Sequence, residues 1–237
     1  MYKEVFLGMK LYYVSHSTFA ISDNNYTILI DPFFSGNPLA KDLNITPNLI
    51  LVTHGHFDHT ADVERLAKKH NCQVFTNFEL ANYFSSKGVK ANGAYMGGKI
   101  RFNWGYIKFV PAFHGSSTVE GNYAGVAMGI VINFNGFTFY HAGDTCLTVE
   151  MQLLKNYNID VAMLPIGGYF TMDIEEAVLA TKMIEPKFVV PMHYNTFDLI
   201  KVDVNEFKFL IEKETNSKPL IMEFNSSVDI SSLVVKK

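Results

Sequence analysis

The sequence predicts a layered α/β sandwich, with two sheets packed face to face and helices on the outside. Three observations carry this expectation. Short runs rich in β-branched and aromatic residues recur from the beginning of the chain to its end. Helical periodicities lie between them, and from residue 137 onward strands and helices alternate. No Pro/Ser/Gly-rich linker or shift in composition interrupts the series, so one domain over residues 1–237 is expected.

The strand-like runs occupy residues 10–14, 26–30, 49–52, 73–76, 106–110, 125–134, 137–140, 161–164, 188–190 and 220–224. Most are bounded by Gly, Pro, Asn or Asp, as strands are. His16-Ser17-Thr18-Phe19 falls at a first hairpin, and Asn135-Gly136 is the strongest hairpin signal in the chain. Helical spacing marks residues 62–70, where Val63, Leu66 and Ala67 share a face, and residues 79–86, stopped by Gly88. Further helices fit residues 147–157, 173–184 (ended by Pro186) and 203–214. Asp173 with Glu176, and Asp203 with Glu206, have the spacing of an N-cap and its capping-box partner.

Composition narrows the classes of function. With 48% hydrophobic and 18% charged residues, the chain can bury a sizeable core and is not disordered as a whole. Cys72 and Cys146 form neither a disulfide framework nor a Cys-x-x-Cys pair, so a reducing, cytoplasmic setting is expected. The most apolar run, residues 124–132, is too short for a bilayer, and no signal peptide is read before it. The net charge is −3, and Arg65 and Arg101 are the only arginines, which speaks against nucleic acid as a partner. Lys68-Lys69-His70 and Lys236-Lys237 read as solvated ends. A small-molecule substrate is expected, and a homo-oligomer is compatible with this composition.

The chemistry is concentrated at a strand end. The apolar run 49–52 leads through Thr53 into His54-Gly55-His56-Phe57-Asp58-His59, four ligand-type side chains within six residues. Residues two apart in extended chain project to one side, so His54 and His56 can grip one ion. The bend at Gly55 and the approach to a helix turn Asp58 and His59 towards a second ion. Imidazoles with carboxylates suit zinc, manganese or iron.

His54-x-His56-x-Asp58-His59 after an apolar strand resembles the signature of the metallo-β-lactamase superfamily. The superfamily pattern continues with His114, Asp144 and His193, each following a strand-like run. The resemblance implies a four-layer αβ/βα sandwich with a two-metal site between two facing mixed sheets. It implies that His54, His56 and His114 hold the first metal, that Asp58, His59 and His193 hold the second, and that Asp144 bridges. Two divalent ions, zinc first and manganese or iron as alternatives, are the expected cofactors. Aspartate at 144, where antibiotic-hydrolysing relatives commonly carry cysteine, disfavours antibiotic hydrolysis. Histidine at 56, where the redox diiron branch typically has glutamate, favours hydrolysis over oxygen reduction.

Three blocks narrow the resemblance: the segment at His16, Tyr140-His141-Ala142-Gly143-Asp144-Thr145, and residues 191–197. With residues 165–172 they are similar to metal-dependent hydrolases of bacteria and archaea. That group is itself similar to ascorbate-phosphate lactonases and, more distantly, to phospholipase D-type enzymes acting on N-acyl phosphatidylethanolamine. Tyr169 departs from the histidine or asparagine of many relatives. A metal-dependent hydrolase of a small ester, lactone or phosphoester is therefore expected. Its rivals are a phosphodiesterase or nuclease acting on RNA and a metal-binding protein without turnover.

Two ions sharing a water can lower its pKa from about 15.7 to near 7, and the resulting hydroxide is the expected nucleophile. Asp58 is expected to orient it as well as to ligate. His16 and His141 have two readings: pocket groups acting in catalysis, or groups holding a carboxylate ligand in place. The loop containing Tyr169 and Phe170, together with Asn195, is expected to line the substrate pocket.

Overall fold

The computed structural model describes residues 8–234. Lys236-Lys237, and the start of the chain on which the absence of a signal peptide was read, lie outside the described residues. β1 (Lys10–Ser15), β2 (Thr18–Ser22) and β3 (Thr27–Ile30) form an antiparallel meander. β4 (Leu49–Leu51), β5 (Gln73–Asn77) and β6 (Ala91–Ala94) extend it in parallel. Parallel neighbours need crossovers: residues 31–48 join β3 to β4 without a helix, α1 (Phe57–Thr60) and α2 (Val63–His70) join β4 to β5, and α3 (Phe78–Ser86) joins β5 to β6.

The second sheet repeats the plan. β7 (Lys99–Phe102), β8 (Gly105–Pro111), β9 (Met128–Phe134) and β10 (Phe137–His141) are antiparallel. β11 (Val161–Pro165), β12 (Phe188–Met192) and β13 (Lys218–Pro219) follow in parallel. Their crossovers are a 3₁₀ helix (Val149–Tyr157), α4 (Ile174–Ile184) and α5 (Val204–Glu214). β14 (Ser226–Asp229) returns to pair with β1, and α6 (Ile230–Leu233) follows it. Among the described residues both sheets have seven strands, ordered β14-β1-β2-β3-β4-β5-β6 and β13-β12-β11-β10-β9-β8-β7.

Strand periodicity explains the layers. Ile28, Ile30, Leu49 and Leu51 face the second sheet and join a core with Ile107, Phe109, Ile130 and Phe139. The alternate residues Leu29, Ile50 and Val52 face outwards, against Val63 and Leu66 of α2 and Leu80 and Phe84 of α3. Buried on both faces, these strands read as unbroken apolar runs. On the far side Ala177 and Val178 of α4 and Phe207 and Ile211 of α5 complete the sandwich. Two mixed sheets with helices outside is the expected four-layer architecture. Among the described residues no helix is long and apolar enough to cross a membrane.

Most predicted elements are present, and Asn135 and Gly136 both have positive φ, as the tight hairpin requires. The strand expected over residues 220–224 is absent. The strand ends at Lys218–Pro219 with one more bond to β12, from Leu220 N to the Val189 carbonyl at 2.8 Å, and Leu220 and Phe224 pack against the core. The 147–157 segment is a 3₁₀ helix, and Asp203 caps α5 through Asn205 N rather than Glu206 N. β6, β7 and β14 were not anticipated: Ala91–Ala94 has no β-branched residue, and β7 and β14 alternate or are polar edge strands.

Candidate metal centre

The centre lies where strand ends of the two sheets meet. After β4 the chain bends at Thr53 and runs to His56, which is extended and precedes α1, and Asp58 and His59 lie in the single turn of α1. Gly55 is obligatory for this path: a Cβ there would stand 2.5 Å from Ala124 Cβ and 2.9 Å from the Ser117 carbonyl oxygen. His114 follows β8, Asp144 follows β10 and His193 follows β12. Gly143 turns the chain towards the centre with φ +62°, and a Cβ there would lie 2.9 Å from Thr53 Cβ. All seven ligand-type residues foreseen in the sequence come together here.

Their ligand atoms form overlapping groups. His54, His56 and His114 present nitrogens within 4.8 Å of one another, as do His54, His59 and Asp144 with their nitrogens and carboxylate oxygen. His16, Asp58, His59 and His193 make a further such group. Asp144 stands between them: Oδ1 is 3.2 Å from His59 Nε2, while Oδ2 is 3.1 Å from His193 Nε2 and 3.4 Å from His114 Nε2. His59 Nε2, His193 Nε2 and Asp144 Oδ1 are buried without a hydrogen-bond partner. Orphaned buried polar atoms are costly, and three converging on one point are the donor set that a metal ion satisfies.

The imidazoles are oriented from behind. His54 Nδ1–H donates to Thr53 Oγ1 at 3.1 Å, whose hydroxyl donates to Asp31 Oδ2 at 2.7 Å. Asp31 also accepts from Thr53 N and from His59 Nδ1, at 2.8 and 2.7 Å. Both rings therefore present Nε2 to the centre, an arrangement that fixes the tautomer of a ligating histidine.

The charges divide accordingly. Burial opposes ionisation of Asp144, but His193 and His59 beside it hold its carboxyl well below its ordinary value. Asp58 is likewise depressed against burial, by His59 and by its hydrogen bond from His16. Burial lowers His54, and His59 adds to the effect. His59 is pushed well above its ordinary value because Asp144, Asp31 and Asp58 outweigh burial.

The other site residues foreseen in the sequence fare differently. His141 is fully buried behind the centre; Nε2–H donates to the Ser17 carbonyl and Nδ1 accepts from Gly143 N, so neither nitrogen is left for a substrate. The catalytic expectation for His141 is corrected on that ground. His16 is also fully buried, with Nε2 2.9 Å from Asp58 Oδ2, and so does not open onto a pocket. Asn195 Oδ1 accepts from Val202 N, holding the 195–202 loop rather than facing a ligand with that oxygen. Tyr169 and Phe170 are exposed at the tip of a loop tied to both neighbouring ligand segments. Met172 N donates to Thr145 O, and Gly167 packs so closely on the His193 carbonyl that a Cβ would lie 2.3 Å from it.

Sequence reasoning missed Asp31 and Thr53, whose signal was a lone carboxylate ending an apolar strand and a hydroxyl directly before His54. It also missed Phe57, Phe113 and Phe197, exposed aromatics on the loops that carry ligands. Phe33 bridges two of them, 5.7 Å from Phe57 and 6.4 Å from Phe197 between ring centroids.

Fold and site together define a metal-dependent hydrolase of the metallo-β-lactamase fold. A family model described as a beta-lactamase superfamily domain matches residues 10–193. A UPF0173 metal-dependent hydrolase of Anoxybacillus flavithermus is 47% identical over 86% of this chain and 94% of its own length. Another, of Natranaerobius thermophilus, is 41% identical over 94% of this chain and its whole length. Among solved structures, Igni18, a metallo hydrolase from the hyperthermophilic archaeon Ignicoccus hospitalis, superposes with a TM-score of 0.85. It is 38% identical, covering 93% of this chain and 97% of its own. The chain belongs to the UPF0173 family of metal-dependent hydrolases, within the beta-lactamase superfamily.

Proposed function

We propose that the protein is a two-metal hydrolase of a small ester or lactone bearing an apolar group. The observation that carries this reading is the position of Asp144, buried between a His54/His56/His114 group and a group containing Asp58, His59 and His193. In this reading the first set holds one ion, the second set holds the other, and Asp144 serves both. The imidazole and carboxylate donors suit zinc first, with manganese or iron as alternatives. When bound, such a pair supplies an acidified water and a Lewis acid for the substrate oxygen.

The chain's own residues supply the rest. Asp58 and Asp144, depressed in pKa, are ionised at neutral pH, so each is ready to ligate without first losing a proton. The Asp58 carboxylate can also accept a hydrogen bond from the attacking water and so orient it. Exposed Phe57, Phe113, Phe170 and Phe197, on segments next to the candidate ligands in the chain, can supply apolar surface for the acyl or ring portion of the substrate. The net charge of −3 and the presence of only two arginines, Arg65 and Arg101, favour a small molecule over RNA. Cys72 and Cys146 are free thiols, in keeping with a cytoplasmic setting.

The test is elemental analysis of protein purified without chelator, followed by a panel of esters, lactones and phosphodiesters. Two metal equivalents per chain and a preference for uncharged, apolar esters or lactones are expected. Asp144→Ala should lose at least one equivalent and the hydrolysis; full retention of both would sink the assignment.

A further inference from the structure

We propose that His16 is itself a metal ligand, an additional protein donor to the second ion; this rests on the two-metal reading above. Its Nε2 belongs to a set with the Asp58 carboxylate oxygen and nitrogens of His59 and His193, all within 4.8 Å of one another. That is the spacing of donors arranged about a single cation.

The backbone holds His16 in place at a cost. His16 occupies the tight turn between β1 and β2 with φ +56°, a conformation uncommon for residues other than glycine. Its carbonyl accepts from His193 N at 2.8 Å and from the Tyr13 hydroxyl at 3.1 Å. His193, reaching in from the other sheet, has φ +54°, and the two rings lie 4.0 Å apart between centroids. Two strained histidines, one from each sheet, are thus tied together beside Asp58.

The hydrogen bonds allow a tautomer in which the ring can ligate. Thr196 Oγ1 lies 3.0 Å from His16 Nδ1 and can accept its N–H, while His16 Nε2 faces Asp58 Oδ2 at 2.9 Å. Either a proton or a metal ion can be shared between Nε2 and Oδ2. A proton would serve this pair alone and leave the buried Nε2 atoms of His59 and His193 unpartnered, whereas one metal ion satisfies all four groups. Three imidazoles and one or two carboxylates nearly fill a coordination shell. The second ion is then the closed, holding position, and the open position for substrate falls to the His54/His56/His114 ion.

Proton NMR of the full-length protein loaded with cobalt tests this, because each ligating imidazole contributes an exchangeable, hyperfine-shifted N–H resonance. His16→Ala should lack one such resonance and bind its second cobalt about 10–100-fold more weakly in chelator competition, with the first unchanged. His16→Gln, which keeps a hydrogen-bond donor towards Asp58, should lack the same resonance. Where His16→Ala does not fold, Thr196→Val keeps the imidazole but removes the acceptor of its N–H, and should shift that resonance. An unchanged set of resonances in these variants overturns the proposal, as does a His16→Gln protein with wild-type affinity for both cobalts. Wild-type protein holding two cobalts with no His16-dependent resonance overturns this inference alone. Protein that takes up a single cobalt, with no such resonance, overturns the two-metal reading as well.

Discussion

Asp31 is the residue on which the orientation of the centre turns. It touches no substrate, yet its carboxylate accepts from Thr53 N, Thr53 Oγ1 and His59 Nδ1, and through Thr53 it also fixes His54. Asp31→Asn replaces one acceptor oxygen by an amide that cannot accept; at Oδ2 this removes the partner of both His59 Nδ1 and Thr53 Oγ1, and at Oδ1 that of Thr53 N, so the hold on the imidazoles weakens either way. Metal affinity is expected to fall about 10–100-fold, measured by chelator competition, with the circular dichroism spectrum unchanged. Undiminished affinity would show that the rings are held by packing alone. The ligands themselves were legible because His54, His56, Asp58 and His59 are neighbours in sequence. Asp31 was not, since it meets His59 across 28 residues. Nor was the commitment of His141, whose partner Ser17 lies 124 residues away and meets it only in the folded chain.

The loop after β3 and helix α2 depend on another carboxylate that the chain pattern marked only as a helix start. Asp62 is buried and accepts from Phe34 N, Ser35 N, Ser35 Oγ and Arg65, so it pins the segment containing Phe33 and Phe34 to the start of α2. Burial would raise its carboxyl, but the Ser35 backbone and hydroxyl, Arg65 and Phe34 hold it below the ordinary value. A depressed folded pKa means that the stabilisation is complete above the unfolded value of about 3.9 and is lost as pH falls through the folded value. Asp62→Asn should therefore cost about 1–3 kcal/mol at neutral pH. The difference in Tm from wild type should stay constant down to roughly pH 4 and close below it. A gap that persists undiminished in strong acid would show that the charge is not what pins the loop. Elements with apolar, β-branched runs were readable, as β3, β4, β11 and β12 show. Ala91–Ala94 was not, because its pairing with β5 is imposed by the α3 crossover rather than by its own side chains.

The candidate ligands come from both sheets: His54, His56, Asp58 and His59 follow β4 of the first, and His114, Asp144 and His193 follow β8, β10 and β12 of the second. Bound metal therefore links the two halves of the sandwich as well as forming the site. At a concentration 100 times its dissociation constant one ion adds about 2.7 kcal/mol to folding stability. Chelation is accordingly expected to lower Tm by roughly 5–10 °C for a chain of this size, read by scanning calorimetry. An unchanged Tm would mean that apolar packing alone joins the sheets. The overall class was readable from the order of strands and helices, but the matching plan of the two sheets was not, because it lies in hydrogen-bond topology and leaves no repeat in the residues. That plan makes the turn after β4 and the turn after β11 counterparts. The first carries four candidate ligands and admits little alteration. The second, residues 166–173, carries none of them and exposes Tyr169 and Phe170. Four of the seven candidate ligands thus cluster in one turn while its counterpart offers only an exposed aromatic tip, so rewriting residues 166–173 is expected to change which substrate is taken while the metal set stays the same.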